Sequence, residues 1–228
     1  MKALAAALAV TAAVALAAPA GRAADECRGL MACISVPGPW VVVPASTRAA
    51  KWQLRCPRGI VAGLDARLDD RELDIDFDGL LGSPVNPGIT TRDAVLFSGR
   101  YTGRERRPKT FRPFIGCVVG GGGARTPTRA AAFRPGQPTV LRVRTLRLAP
   151  GSLTRASHRC RRGERLLGVS HAAGLFTRRP PAARELALVR VTRAVRGGVI
   201  LVAASRQGIP RGTNVAVQVH AVCARGPG

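Results

Sequence analysis

Hydrophobic positions in this chain recur with a period of two. "TNVAVQVHAVC" alternates without a break and puts Val215, Val217, Val219, Ala221 and Cys223 on one side, Gln218 and His220 on the other. That is the pattern of a half-buried strand whose cysteine faces a core. "RELDIDFDG" sets Leu73, Ile75 and Phe77 against Glu72, Asp74, Asp76 and Asp78 in the same way. "VRGGVILVAA" predicts two strands joined at Gly197 and Gly198, a hairpin signal. "PWVVVP" and "TVLRVRTLRLAP" are β-type runs that stop at Pro44 and Pro150. No amphipathic helical period stands out beyond the N-terminus, and turn residues punctuate the chain at short intervals. The expected fold is all-β, built as β-sandwiches or small barrels.

The N-terminal exception is apolar and alanine-rich from Ala3 to Ala20, after Lys2 and before the small-residue sites at Ala20 and Ala23. This layout predicts a secretory signal peptide over residues 1–23, cleaved near Ala20 or Ala23. Nothing after residue 30 has the length and hydropathy of a spanning helix. The mature chain is expected to be secreted or held in the cell envelope, with no transmembrane helix.

Six cysteines follow the leader: Cys27, Cys33, Cys56, Cys117, Cys160 and Cys223. An even number in an exported chain reads as disulfides. Cys56 and Cys117 are 61 residues apart and Cys160 and Cys223 are 63 apart. The first of each pair opens C-x-x-G, as Cys56-Pro57-Arg58-Gly59 and Cys160-Arg161-Arg162-Gly163, with a second glycine at Gly63 or Gly168. These landmarks predict a repeat with one disulfide in each unit, Cys56 to Cys117 and Cys160 to Cys223, leaving Cys27 and Cys33 to pair locally. Two tandem β domains follow, residues 24–118 and 139–228, joined by a Gly/Pro-rich linker over 119–138. The C-x-x-G opening, the second glycine and the closing strand that ends in Ala221-Val222-Cys223-Ala224 resemble disulfide-closed β repeats in uncharacterised exported proteins of high-GC bacteria. The likeness is strongest over residues 160–224; it implies a secreted β module and no particular chemistry.

Charge changes the picture more than any motif. The chain carries a formal net charge of +23. From Arg125 onward it has 20 Arg and no Lys against Glu164 and Glu185. Such a field attracts polyanions, although an excess of Arg and Ala is also what a GC-rich genome produces. Nucleic acid is a poor expectation, because aromatics make up 4% of the chain and base stacking needs them. An anionic cell-wall polymer or an extracellular protein is the expected partner. No cofactor is implied.

Sites of chemistry are few. Asp74, Asp76 and Asp78 followed by Gly79 match the opening of a calcium loop, but Val85 stands where the closing Glu is needed and no helix flanks the run. The three acids read better as the wet face of a strand. Ser170 and His171 lie in "GVSHA", which lacks the final glycine of a nucleophile elbow. The sequence therefore supports a non-catalytic binding or structural module, with a secreted hydrolase or a calcium-binding β domain as the alternatives. Recognition is expected on two loops, Gly79 to Thr91 with Arg92 beside it, and Gly174 to Pro181 with Arg178 and Arg179.

Overall fold

A computed structural model describes Cys27, residues 33–78, 93–118, 139–210 and 212–225. The predicted leader, the linker, the loop from Gly79 to Thr91 and Arg92 lie outside the described residues. The fold is nearly all-β, as the two-residue period requires. In chain order the elements are β1 (Ile34–Pro37), β2 (Trp40–Val43), β3 (Ala49–Arg55), β4 (Ile60–Leu68), β5 (Leu73–Asp78), β6 (Ala94–Tyr101) and β7 (Lys109–Val118). Then come β8 (Thr139–Leu148), β9 (Leu153–Arg159), β10 (Glu164–Phe176), the four-residue α1 (Ala183–Leu186), β11 (Val189–Arg196), β12 (Val199–Arg206) and β13 (Asn214–Arg225). Among the described residues, no helix is long and apolar enough to cross a membrane.

One seven-stranded sheet runs through the molecule. β7 pairs with β4 along one edge and with β1 and β2, end to end, along the other. β2 pairs in turn with β10 (Val41 with Gly174, Trp40 with Leu175), and the sheet continues through β13 to β8. Two three-stranded sheets, β3-β6-β5 and β11-β12-β9, pack on it. Successive strand residues point to opposite faces, and β2 is buried on both. Val41 and Val43 join a core with Trp52, Leu54, Val95, Phe97, Phe111 and Ile115. Val42 joins a second core with Leu175, Ile200, Val202, Val215, Val217 and Val219. The two small sheets therefore cover opposite faces of the large one, over different halves of the chain.

Three disulfides join Cys27 to Cys33, Cys56 to Cys117 and Cys160 to Cys223, and they point to an oxidising, extracytoplasmic compartment. The longer two fasten each small sheet to the large sheet. The C-x-x-G turns have a shared cause: Gly59 and Gly163 sit at φ 82 and 78, in the left-handed region that favours glycine. Val61 pairs with Cys117 and Leu166 with Cys223, and a β-bulge follows immediately in both strands, before Gly63 and Gly168. The predicted hairpin forms as β11 and β12, with positive φ at both Gly197 and Gly198.

Two sequence expectations meet a different outcome. Gln218 and His220, on the polar side of the β13 pattern, are 5% and 1% exposed. Ala172, Gly174 and Ala216 leave room there for β3, and Gly174 is so close that an added Cβ would lie 2.5 Å from the Pro39 ring. Phe77, on the apolar side of the β5 pattern, is 49% exposed, because β5 is an edge strand and Phe77 lies near its end.

Candidate functional site: an arginine-lined sheet face

The sheet β11-β12-β9 buries Ile200, Val202, Ala204 and Ala156 against the large sheet, so the alternate residues face outward. Its registers set these outward residues in four rungs. Arg159, Val199 and Arg196 form the first, and Ser157, Leu201 and Ala194 the second. Arg155, Ala203 and Thr192 form the third, and Leu153, Ser205 and Arg190 the fourth. All four arginines are exposed, and the face holds no carboxylate. Strands lie about 4.8 Å apart and same-side residues about 6.7 Å apart along a strand. The arginines thus form two rows about 10 Å apart, over a length of about 20 Å.

β5 holds beside β6 the place that β11 holds beside β12, and β3 matches β9 in the same way. The charge there is different. Outward residues of β5 include Asp74, opposite Arg100, and Asp76, opposite Ser98, while β3 contributes Lys51 and Arg55. Asp74 and Asp76 are exposed strand carboxylates, and Asp78 ends the strand. An extended strand spaces such groups along a line, whereas a calcium loop folds them about a point. The described residues bring together one trio of metal-binding type, Cys160, Glu164 and Cys223, and its two sulfurs are bonded to each other.

Arg178 and Arg179 are exposed on the segment that follows β10. The segment is fixed by Thr177, whose hydroxyl donates to the Arg179 carbonyl at 2.6 Å and whose carbonyl accepts from Arg112 at 3.4 Å. Arg112 also donates to the Gly38 carbonyl and, like Arg67, lies over the Phe114 ring. Burial, then the neighbouring Arg67, lowers the Arg112 pKa. Two cations elsewhere are neutralised: Lys109, 3% exposed, is held by Asp70 and Glu105, and Arg142 by both oxygens of Glu164.

Ser170 and His171 are successive residues of β10 and point to opposite faces, so they form no dyad. Ser170 instead lies across from His220, its Oγ 3.2 Å from Nδ1. The His220 Nε2 is 3.1 Å from the Gln218 Oε1, and that oxygen also accepts the Gln53 N–H at 2.7 Å. An amide oxygen only accepts, so Nε2 bears the proton and Nδ1 accepts from Ser170. Burial, with Lys51, His171 and His158 adding to it, pushes the imidazole down to about 4. An uncharged serine, histidine and glutamine in line have no carboxylate to stabilise an imidazolium, which separates the arrangement from a hydrolytic triad.

The six cysteines are disulfide partners as the spacing predicted. The arginines of β9 and β11 were not singled out from sequence, although "LTRASHR" and "VRVTRAVR" carry the alternation that places them. No family model, curated protein or solved structure matches the chain.

Proposed function

We propose that the chain is an exported, non-catalytic binding module of the cell envelope, made of two tandem β domains, which engages an anionic polymer through its arginine-rich second domain. The domains are residues 24–118 and 139–228, after a signal peptide over 1–23 and on either side of the linker at 119–138. Support for a repeat comes from strand order. β4-β7-β2 with β3-β6-β5 has its counterpart in β10-β13-β8 with β9-β12-β11. The disulfide, the left-handed glycine and the bulge recur at matching places, as a duplicated unit would have them.

One observation supports the binding role above the others. Four arginines and no carboxylate line the outward face of β11-β12-β9, while the counterpart face at β5-β6-β3 mixes Lys51, Arg55 and Arg100 with Asp74 and Asp76. A genome-wide bias toward arginine acts on both faces alike and leaves this contrast unexplained. The hydrolase and calcium readings lack a comparable feature.

The test is binding of the mature, oxidised protein to isolated anionic wall polymer across a salt series. Affinity should fall steeply as salt rises, since released counterions drive such binding, and Arg178→Glu with Arg179→Glu should weaken it further. Absent or salt-independent binding removes the reading.

A further inference from the structure

The outward face of β11-β12-β9 has a shape that narrows the ligand, given the polymer-binding reading on which this step rests. We infer that this face is the polymer site, and that its ligand is a linear, base-free phosphate polymer lying along β12 between the two arginine rows.

Arg159 and Arg196 flank Val199 on the same rung. They stand about 10 Å apart at the backbone, a gap that two long guanidinium side chains can close over one phosphate, each with a paired N–H fork. Arg155 stands two rungs further on and Arg190 three, about 13 and 20 Å from the first rung. A small anion occupies one rung only. Engaging all four arginines requires a chain whose charges recur, and each phosphate after the first then binds at a high effective concentration.

The floor between the rows sets the class of polymer. Val199, Leu201, Ala203 and Ser205 run down its centre, with Ser157, Thr192 and Ala194 beside them. There is no aromatic ring on which a base could stack. There is also no carboxylate or amide side chain to read sugar hydroxyls. A polyphosphate or polyol-phosphate backbone needs only the guanidiniums. Beyond the first rung the face is open, since nothing lies within 4 Å of a Cβ placed on Gly197 or Gly198. The exposed Arg161 and Arg162 follow Arg159 closely in the chain, so a long polymer meets more cations on its way out. On the counterpart face Asp74 and Asp76 offset most of the charge of Lys51, Arg55 and Arg100.

Calorimetric titration with long-chain linear polyphosphate, orthophosphate and a single-stranded oligonucleotide of matched charge tests this on the mature protein. Two triple variants remove equal charge: Arg155→Gln, Arg159→Gln and Arg196→Gln on the proposed site, and Lys51→Gln, Arg55→Gln and Arg100→Gln on the counterpart face. The first set should lose at least about tenfold in polyphosphate affinity and reduce the salt slope by about 3, one for each phosphate-contacting cation. The second set should stay within about twofold. Orthophosphate should bind far more weakly than the polymer, and the oligonucleotide no more tightly than polyphosphate. If the first triple does not fold, Arg159→Gln alone, with a slope change of about 1, serves in its place. Equal losses in both triples, or an oligonucleotide preference, would overturn the site or its ligand while leaving polymer binding intact. Binding to a phosphate-free wall polymer but not to polyphosphate would do the same. No binding to any of these polyanions removes both readings.

Discussion

The side chain of Gln218 on β13 forms a two-way hydrogen-bonded pair with the main chain of Gln53 on β3. The Gln53 N–H donates to Oε1 at 2.7 Å, and Nε2 donates to the Gln53 carbonyl at 2.8 Å. β3 is an edge strand, and here the glutamine amide takes the place of a neighbouring strand. The pair also ties the first half of the chain to the second, beside the short β2–β10 pairing.

Gln218→Ala leaves the Gln53 N–H and carbonyl without these partners and should cost about 1–3 kcal/mol, the penalty of stranding part-buried polar groups. Denaturant unfolding measures the loss, and hydrogen exchange at the Gln53 amide locates it. Unchanged stability with an amide that stays protected would mean that another group holds this edge.

Close approach makes a second prediction at the same seam. An added Cβ on Gly174 would lie 2.5 Å from Pro39 and 3.0 Å from Trp52, both ring atoms with little freedom to move. Gly174→Ala should therefore destabilise by about 1–3 kcal/mol through overpacking. Gly168, six residues earlier on the same strand, has its nearest neighbour at 3.9 Å. Gly168→Ala should be neutral or stabilise by up to about 1 kcal/mol, since it lowers the entropy of the unfolded chain. Thermal melts of the two variants must move differently; similar shifts would contradict the packing described at β2 and β10.

These seam residues show where the sequence was legible and where it was not. Alternation identified β5 and β13, the Gly197-Gly198 hairpin signal identified β11 and β12, and the spacing of the cysteines identified their partners, because all three are local or nearly periodic signals. Alternation gives the relative orientation of neighbours, but what covers each face depends on tertiary packing. Gln218 and His220 read as a wet face, yet β3 lies over them. The arginines of β9 and β11 were hidden for a related reason: Arg155, Arg159, Arg190 and Arg196 become one surface only after β12 has paired on both sides. Ser170 and His171 form no dyad for the same kind of reason: adjacency along a strand is separation across a sheet.

His220 should make stability fall in mild acid. Its folded pKa is about 4 against an unfolded value of about 6.5, so the unfolded chain takes up a proton that the folded chain refuses. The contribution is full above pH 6.5 and is lost as pH falls toward 4, with a ceiling of about 3 kcal/mol. His171, lowered by burial and by Arg193, adds in the same direction. Asp70, Glu105 and Glu164 have lowered pKa values, through Lys109 for the first two and Arg142 for the third. Their contributions are present above the ordinary carboxylate range and are lost below it, so the two windows separate. His220→Phe should flatten the stability profile between pH 6.5 and 4.5 relative to the native chain. A native profile already flat over that interval would show that His220 is charged or accessible in the folded protein.

The three disulfides should differ sharply in their resistance to reductant. Both cysteines of Cys56–Cys117 are buried, at 4% and 1% exposed; Cys223 is 0% exposed but its partner Cys160 is partly buried, and Cys27 and Cys33 are both only partly buried. Thiolate attack on a disulfide requires access to sulfur, so mild reductant under native conditions should open Cys27–Cys33 first. Cys160–Cys223, with one partly buried cysteine, should follow, and Cys56–Cys117 should open only when the chain unfolds. Their thermodynamic weights differ too. Loops of 61 and 63 residues correspond to about 4 kcal/mol each by chain entropy, whereas a loop of about six residues corresponds to about 2 kcal/mol and constrains the N-terminal end alone. Removing Cys27 and Cys33 together should therefore lower the melting temperature by about half as much as replacing either long-range pair by alanine. Peptide mapping after timed reduction and alkylation reads the order directly. Alkylation of Cys56 or Cys117 before Cys27 and Cys33 would mean that β3 and β7 come apart more easily than the burial of both cysteines allows.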